Sequence, residues 1–194
     1  MPSTLDLPGT IIALTRHGQT NWNAQMKLQG STDIPLNDVG RRQAAESGAR
    51  FERGVWHSIV TSPLSRAAET GRIIADGLGI EVAGSYHDLR ERHYGDAEGM
   101  TLDEASALWE YDTYPGLEDR HVVATRGIGS LEKVAGDLPG ASVIVVAHGT
   151  LIREVLQRIA GVPIPPILNA ATSMVGLSDR GWRVLTVNGE DYPG

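Results

Sequence analysis

Two short apolar runs, far apart in the chain, stop in the same way. Ile11-Ile12-Ala13-Leu14 leads through Thr15 into Arg16-His17-Gly18, and Val143-Ile144-Val145-Val146-Ala147 leads into His148-Gly149. Each run is too short for a helix and reads as a buried strand. In an open α/β sheet, ligands bind at the carboxyl ends of the strands. Both imidazoles therefore fall where a ligand would bind, the first beside a permanent cation. Gly18, without a Cβ, lets the backbone turn sharply and approach a ligand. Gly149 opens a helix whose first backbone N–H groups are free to meet an anion.

The 194 residues suit one domain with a substantial core, at 41% hydrophobic and 21% charged. No apolar run approaches the length of a membrane span, and residues 1–9, an arm ahead of the first strand, lack the pattern of a secretion signal. The expected location is the cytoplasm, with no membrane partner. Cysteine is absent, which removes disulfides, thiolate chemistry and sulfur-bound metals. A net charge of −7 argues against nucleic acid as a partner. It leaves room for a small anion held by a few arginines in one pocket.

Between the two strand ends, Thr20-Asn21-Trp22-Asn23 starts a short helical turn. A helix after Asn37-Asp38 places Ala44, Gly48 and Phe51 on one face, with a solvated face of arginines opposite and Gly54 as its stop. The strand His57-Ser58-Ile59-Val60-Thr61 runs into Ser62-Pro63, read as the N-cap and first position of the next helix. The buried face of that helix is Leu64, Ala67, Ala68, Gly71, Ile74 and Leu78. Arg66 stands in its first turn, where the helix dipole disfavours a cation; a bound phosphate reconciles the two.

A strand over Ile80-Glu81-Val82 precedes a polar loop at residues 88–99, which carries Glu91 between Arg90 and Arg92. Thr101-Leu102-Asp103-Glu104 is a capping box. Trp109, Tyr111 and Tyr114 read as packing under a loop, or as a lid over a pocket. A helix over residues 118–137 is loosened by Gly127 and Gly129, and another follows over residues 150–160. Alternation around Asp179-Arg180-Gly181 predicts a terminal hairpin at the sheet edge, with Met174 and Trp182 as packing residues.

The candidates for chemistry are Arg16, His17, Asn23, Arg66, Glu91 and His148. Two arginines and an imidazolium can neutralise a phosphoryl group and follow its charge into the transition state. A neutral His17 can attack phosphorus in line, and Glu91 can protonate the leaving alkoxide and then activate water. A rival metal hydrolase built on His17, His93, His148 and Glu91 is disfavoured, because the adjacent arginines repel a dication.

Five motifs carry a resemblance. They are Arg16-His17-Gly18-Gln19-Thr20-Asn21-Trp22-Asn23, Leu28-Gln29-Gly30 through Pro35-Leu36, Ser62-Pro63-Leu64-Ser65-Arg66-Ala67-Ala68-Glu69-Thr70, Leu89-Arg90-Glu91 and Val146-Ala147-His148-Gly149. In this order and with these gaps the chain resembles the histidine phosphatase superfamily, the phosphoglycerate mutase-like fold. The resemblance implies a three-layer α/β/α sandwich with a mostly parallel central sheet and an antiparallel edge strand. It implies one domain over residues 1–194, with a small cap or insertion around residues 92–120. His17 would be the phosphorylated nucleophile, with Arg16, Arg66 and His148 forming the phosphate pocket, Asn23 assisting and Glu91 donating the proton. Gln29, Gly30, Tyr94 and Gly149 join the expected phosphate- or substrate-binding set, without metal or cofactor.

Glu91-Arg92-His93-Tyr94-Gly95 resembles the phosphoglycerate mutases that depend on 2,3-bisphosphoglycerate. Those enzymes carry a substrate lysine where this chain has Leu102, and an arginine pair in a longer insertion. Residues 110–118 are short, acidic and aromatic, and Arg120 and Arg126 come later and singly. Many phosphatases of the family have Pro-Gly-Gly-Glu-Ser where this chain has Pro115-Gly116-Leu117-Glu118-Asp119. A short loop leaves the pocket open to water and favours hydrolysis. The expected function is hydrolysis of a small phosphorylated metabolite, metal-independent and through a phosphohistidine; the mutase, with 2,3-bisphosphoglycerate as cofactor, is the alternative. A non-catalytic phosphate-binding protein is a third reading, but no catalytic group has been lost. The edge strand near Trp182 leaves room for a homodimer.

Overall fold

The computed structural model describes residues 9–193, so the arm expected at the N-terminus lies, apart from Gly9, outside the described residues. One seven-stranded sheet runs in the order β3-β2-β4-β1-β5-β6-β7. Strands β1 (Thr10–Arg16), β2 (Ser58–Thr61), β3 (Val82–Ser85) and β4 (Ser142–Ala147) are mutually parallel. The antiparallel part comprises β5 (Thr172–Ser178), β6 (Gly181–Val187) and the short β7 (Glu190–Asp191). The helices are α1 (Asn21–Ala24), α2 (Asp38–Ala49), α3 (Ser65–Leu78), α4 (Leu102–Ser106), α5 (Arg120–Asp137) and α6 (Gly149–Ala160). Among the described residues, no helix is long and apolar enough to cross a membrane.

The pleat sends alternate side chains to opposite faces and so builds a core on each. Ile12, Leu14, Val143 and Val145 pack with Leu131 and Val134 of α5 and with Ile152 and Leu156 of α6. Ile11, Ala13, Ile144 and Val146 pack with Ala67 and Ile74 of α3 and with Trp56. This is the three-layer sandwich that the resemblance implied. A third, smaller cluster of Ala97, Ala105 and Tyr114, with Leu28, Tyr94 and Trp109 against it, packs under residues 92–120. Trp109 and Tyr114 meet edge to face with centroids 6.0 Å apart, so these two aromatics are packing groups, while Tyr111 is exposed.

Several local expectations are corrected. Helix α3 starts at Ser65, with Leu64 as an N-cap that makes no side-chain bond. Asp33, from a distant loop, does the capping: its Oδ1 accepts from Ser65 N at 2.8 Å and from Ser65 Oγ at 2.7 Å. Ala68 faces solvent, and Arg66 and Thr70 take buried positions on that helix. Helix α2 ends at Ala49 rather than near Gly54, and Phe51 turns aside to stack edge-on against Trp56. Strand β3 begins at Val82, where the expected run ended. Helix α5 begins at Arg120, capped by Asp119.

Two glycines serve packing in place of the expected roles. A Cβ on Gly127 would collide with Val155, so this glycine lets α5 and α6 approach closely. A Cβ on Gly18 would run into the Gly40 carbonyl, and one on Gly40 into the Gln19 carbonyl. The first strand-end turn is therefore pressed against the start of α2, and Gly18 faces that helix rather than a ligand.

Candidate active site

Parallel pairing of β1 with β4 aligns Arg16 with Ala147, so the chain leaves both strands side by side. His17 N donates to Ala147 O at 3.0 Å, and the His17 and His148 rings lie 5.1 Å apart, edge to face. His17 is 3% exposed. Its Nδ1 lies 2.7 Å from Gly18 O. A carbonyl only accepts, so Nδ1 carries the proton and Nε2 the lone pair. Arg66 Nε donates to that Nε2 at 3.3 Å. Burial, then the charges of Arg16 and Arg66, hold the His17 pKa well below the ordinary imidazole value, and the ring is neutral.

Arg66 is fully buried. Its Nη1 donates to Thr32 O at 3.0 Å and its Nη2 to Gly30 O at 2.8 Å. Burial lowers its pKa to about 10, which leaves it charged at neutral pH. Gly30 thus holds Arg66 through its carbonyl, stands outside the cleft lining, and gives up the space of a Cβ to Glu98. Arg16 donates from Nη1 to Ile167 O at 2.7 Å. Its guanidinium lies against Gly149, where a Cβ would stand 3.2 Å from Nε. Gly149 therefore makes room for the arginine at the start of α6.

Two buried donors beside His17 have no partner: Arg16 Nε and His148 Nδ1. His148 Nε2 lies 2.8 Å from Ser62 Oγ, the serine expected as a helix cap. A serine hydroxyl that donates to Nε2 leaves the ring proton on Nδ1, aimed at no acceptor. Burial, then Arg66, His17 and Arg16, hold the His148 pKa well below the ordinary value too. Buried polar groups are almost always satisfied, so unpaired donors clustered around one imidazole mark a place for an anion.

Glu91 is 7% exposed and seats its carboxylate on the N-terminus of α6. Oε1 accepts from Arg92 N at 2.8 Å and Leu151 N at 3.0 Å, and Oε2 from Thr150 N at 3.0 Å. Tyr94 Oη and Thr150 Oγ1 are 2.6 Å apart; burial, then the charge of Glu91, push the phenol pKa up. Asn23 Nδ2 donates to Gln29 Oε1 at 3.3 Å, and Asn23 Oδ1 accepts from Asn169 Nδ2 at 3.3 Å. A cleft of about 200 Å³ is lined by Arg16, His17, Asn23, Gln29, Glu91, Tyr94 and Gly149 among others.

The family model of the histidine phosphatase superfamily (branch 1) matches residues 12–190. The chain belongs to this superfamily. It is 40% identical over 183 residues to an uncharacterized phosphatase, PhoE, of Bacillus subtilis, covering 92% of this chain and 94% of the relative. It is 33% identical over 189 residues to a metal-independent phosphoserine phosphatase of Arabidopsis thaliana, covering 89% and 79%. Among solved structures, YhfR of Bacillus stearothermophilus superposes with a TM-score of 0.84 at 28% identity, covering 94% of this chain and 98% of that one.

Further cleft residues escaped the reading of the sequence. Lys27, Thr150, Arg153, Pro166 and Ile167 also line it. Only the i,i+3 spacing of Thr150 and Arg153, at the start of the helix that follows His148, offered a signal; residues 161–171 carry no periodic pattern at all. His93, one member of the rival metal set, accepts from Gly95 N at 2.9 Å and sits 3.2 Å from Gly116 O in its own loop. Among the described residues, no group of three or more His, Cys, Asp or Glu side chains could hold a metal ion.

Two buried neutral histidines make a superfamily member of this kind sensitive to mild acid. Once unfolded, each ring takes up a proton near the ordinary value of 6.5; folded, it does so only well below. In that window the unfolded state binds more protons, so stability falls as pH falls, by up to about 1.4 kcal/mol per pH unit for each ring. Thermal unfolding followed downward from neutral pH is expected to show a falling Tm, with His148→Asn removing roughly half of the slope. Glu98 and Asp112, which burial pushes up and hydrogen-bond donors pull down further, keep their stabilisation through this window and lose it only as pH falls through the ordinary carboxylate range and below.

Proposed function

We propose that this chain hydrolyses small phosphate monoesters without a metal, through a phosphohistidine on His17. One observation carries the reading: a neutral imidazole whose Nε2 lone pair meets a single 3.3 Å hydrogen bond from Arg66 Nε, a donor that an arriving phosphoryl oxygen can take over, with the unpaired donors Arg16 Nε and His148 Nδ1 beside it. Those donors are placed to take three phosphoryl oxygens and to hold them as charge shifts in the transition state. The Nε2 lone pair forms the bond to phosphorus while the bond to the ester oxygen breaks. Protonated Glu91 gives the departing oxygen its proton. Its carboxylate then takes a proton from water, the hydroxide attacks phosphorus, and the P–N bond breaks to release inorganic phosphate and neutral His17. Two guanidinium groups beside His17 make a dication unfavourable there, which supports independence from metal.

The cleft supports a small substrate: its volume of about 200 Å³ falls below the usual range for drug-sized ligands. Lys27 and Arg153 line it, and neither stands within ion-pair distance of a carboxylate among the described residues. The cap arginines Arg92, Arg120 and Arg126 are each paired with Asp112, Glu154 or Glu118. This supports hydrolysis over the mutase, and favours esters that carry a second negative group toward Lys27 and Arg153. The test is phosphate release from a panel of monoesters in EDTA, with 3-phosphoglycerate also followed for 2-phosphoglycerate. Release is expected to persist in EDTA, and a carboxylated ester to exceed its carboxamide counterpart about tenfold in kcat/KM, equivalent to ~1.4 kcal/mol. Loss of activity in EDTA, or interconversion of phosphoglycerates outrunning release, would overturn the reading.

A further inference from the structure

Residues 109–118 contribute no residue to the cleft lining, yet they are tied to Glu91 by a continuous set of charged contacts. Arg126, on α5, donates from Nη1 to Asp88 O at 2.7 Å and to Arg90 O at 2.6 Å, and from Nη2 to Glu91 O at 3.1 Å. The same guanidinium meets both oxygens of Glu118, at 2.8 and 3.0 Å. Glu118 also accepts from His93 N at 3.1 Å, and its carbonyl from Arg92 Nε at 2.7 Å. Arg92 and Arg120 both pair with Asp112, and Arg120 reaches on to Glu154 of α6 at 2.6 Å. The N-terminus of that same α6 holds the Glu91 carboxylate.

We infer that Arg126, held by Glu118, is a positioning residue for proton transfer by Glu91. It fixes the backbone of residues 88–91 from one side while α6 fixes the carboxylate from the other. The reason for such bracing lies in the loop itself. The carbonyls of Asp88, Arg90 and Glu91 belong to no sheet or α-helix, and a planar guanidinium can satisfy all three from one rigid group. A proton donor displaced by about 1 Å loses on the order of 100-fold in rate. The inference rests on the reading of Glu91 as the proton donor.

The experiment compares kcat/KM for an alkyl phosphate, whose alkoxide must be protonated to leave, with that for p-nitrophenyl phosphate, whose phenolate leaves unaided. This parameter reports the first irreversible step, before water attacks. Arg126→Met is expected to lower the alkyl ester value about 100-fold and the p-nitrophenyl value less than about fivefold. Glu118→Gln, which keeps Arg126 but weakens its anchor together with the bond from His93 N, is expected to move the ratio the same way by less. Arg126→Lys, a point charge without the fork, should fail to restore it. If Arg126→Met does not fold, the ratio in Glu118→Gln decides. Equal losses on both esters, or no loss, would overturn the role of Arg126 while Glu91→Gln still changes the ratio. A ratio unchanged in Glu91→Gln as well would overturn the proton-donor reading, and this inference with it.

Discussion

Alanine at position 17 is expected to abolish turnover, by at least about 10⁴-fold in kcat. No other side chain can stand in for the lost nitrogen. Nε2 of His148 is occupied by Ser62, and its Nδ1 carries the ring proton when that serine donates. The substitution should leave a folded protein, since His17 follows the end of β1 and its ring is held by two hydrogen bonds, with Gly18 and Arg66, and an edge-to-face contact with His148. Removing the ring also frees Arg66 Nε, so phosphate binding should survive the loss of chemistry. Rapid acid-sensitive labelling of the wild type by a phosphate ester, absent in His17→Ala, is the direct measurement. A variant that still turns over within a factor of ten would end the phosphohistidine mechanism.

Glu91→Gln is expected to cost about 10²- to 10³-fold on alkyl esters, the range of a missing general acid. The amide is nearly the same shape, but it cannot serve all three backbone donors. If its oxygen keeps Arg92 N and Leu151 N, its NH₂ group faces Thr150 N, donor against donor. That mismatch costs about 1–3 kcal/mol of stability, visible as a lower Tm. The loss of rate on alkyl esters should therefore come with a modest loss of stability. With p-nitrophenyl phosphate the rate loss should shrink to a few fold. Equal rate loss on both esters would show that Glu91 only holds structure.

Sequence alone determined the parts of this protein that short-range chemistry decides. The apolar runs of β1 and β4, the hairpin of β5 and β6 and the capping box at Thr101 each depend on residues within a turn or a strand of one another. The five motifs, through their order, extended that reading to Arg16, His17, Arg66, Glu91 and His148. Local rules caught only part of Ser62: its hydroxyl accepts from Leu64 N at 3.3 Å, but it is also drawn to His148 on the neighbouring strand end, and Asp33 caps α3 from another loop. They misjudged Gly18 and Gly127, because the atoms that fill the space of the missing Cβ lie on other elements.

Only the tertiary structure decided what each charged group faces. Arg66 carries its charge inside because the Gly30 and Thr32 carbonyls converge on it, and Glu91 is seated because α6 points its first amides at that loop. Arg92, Arg120 and Arg126 are neutralised by partners as far as 34 residues away, whereas Lys27 and Arg153, equally cationic, face the cleft. A charge interacts through space, and its partner is set by the parallel register and the packing of layers, which no local pattern records.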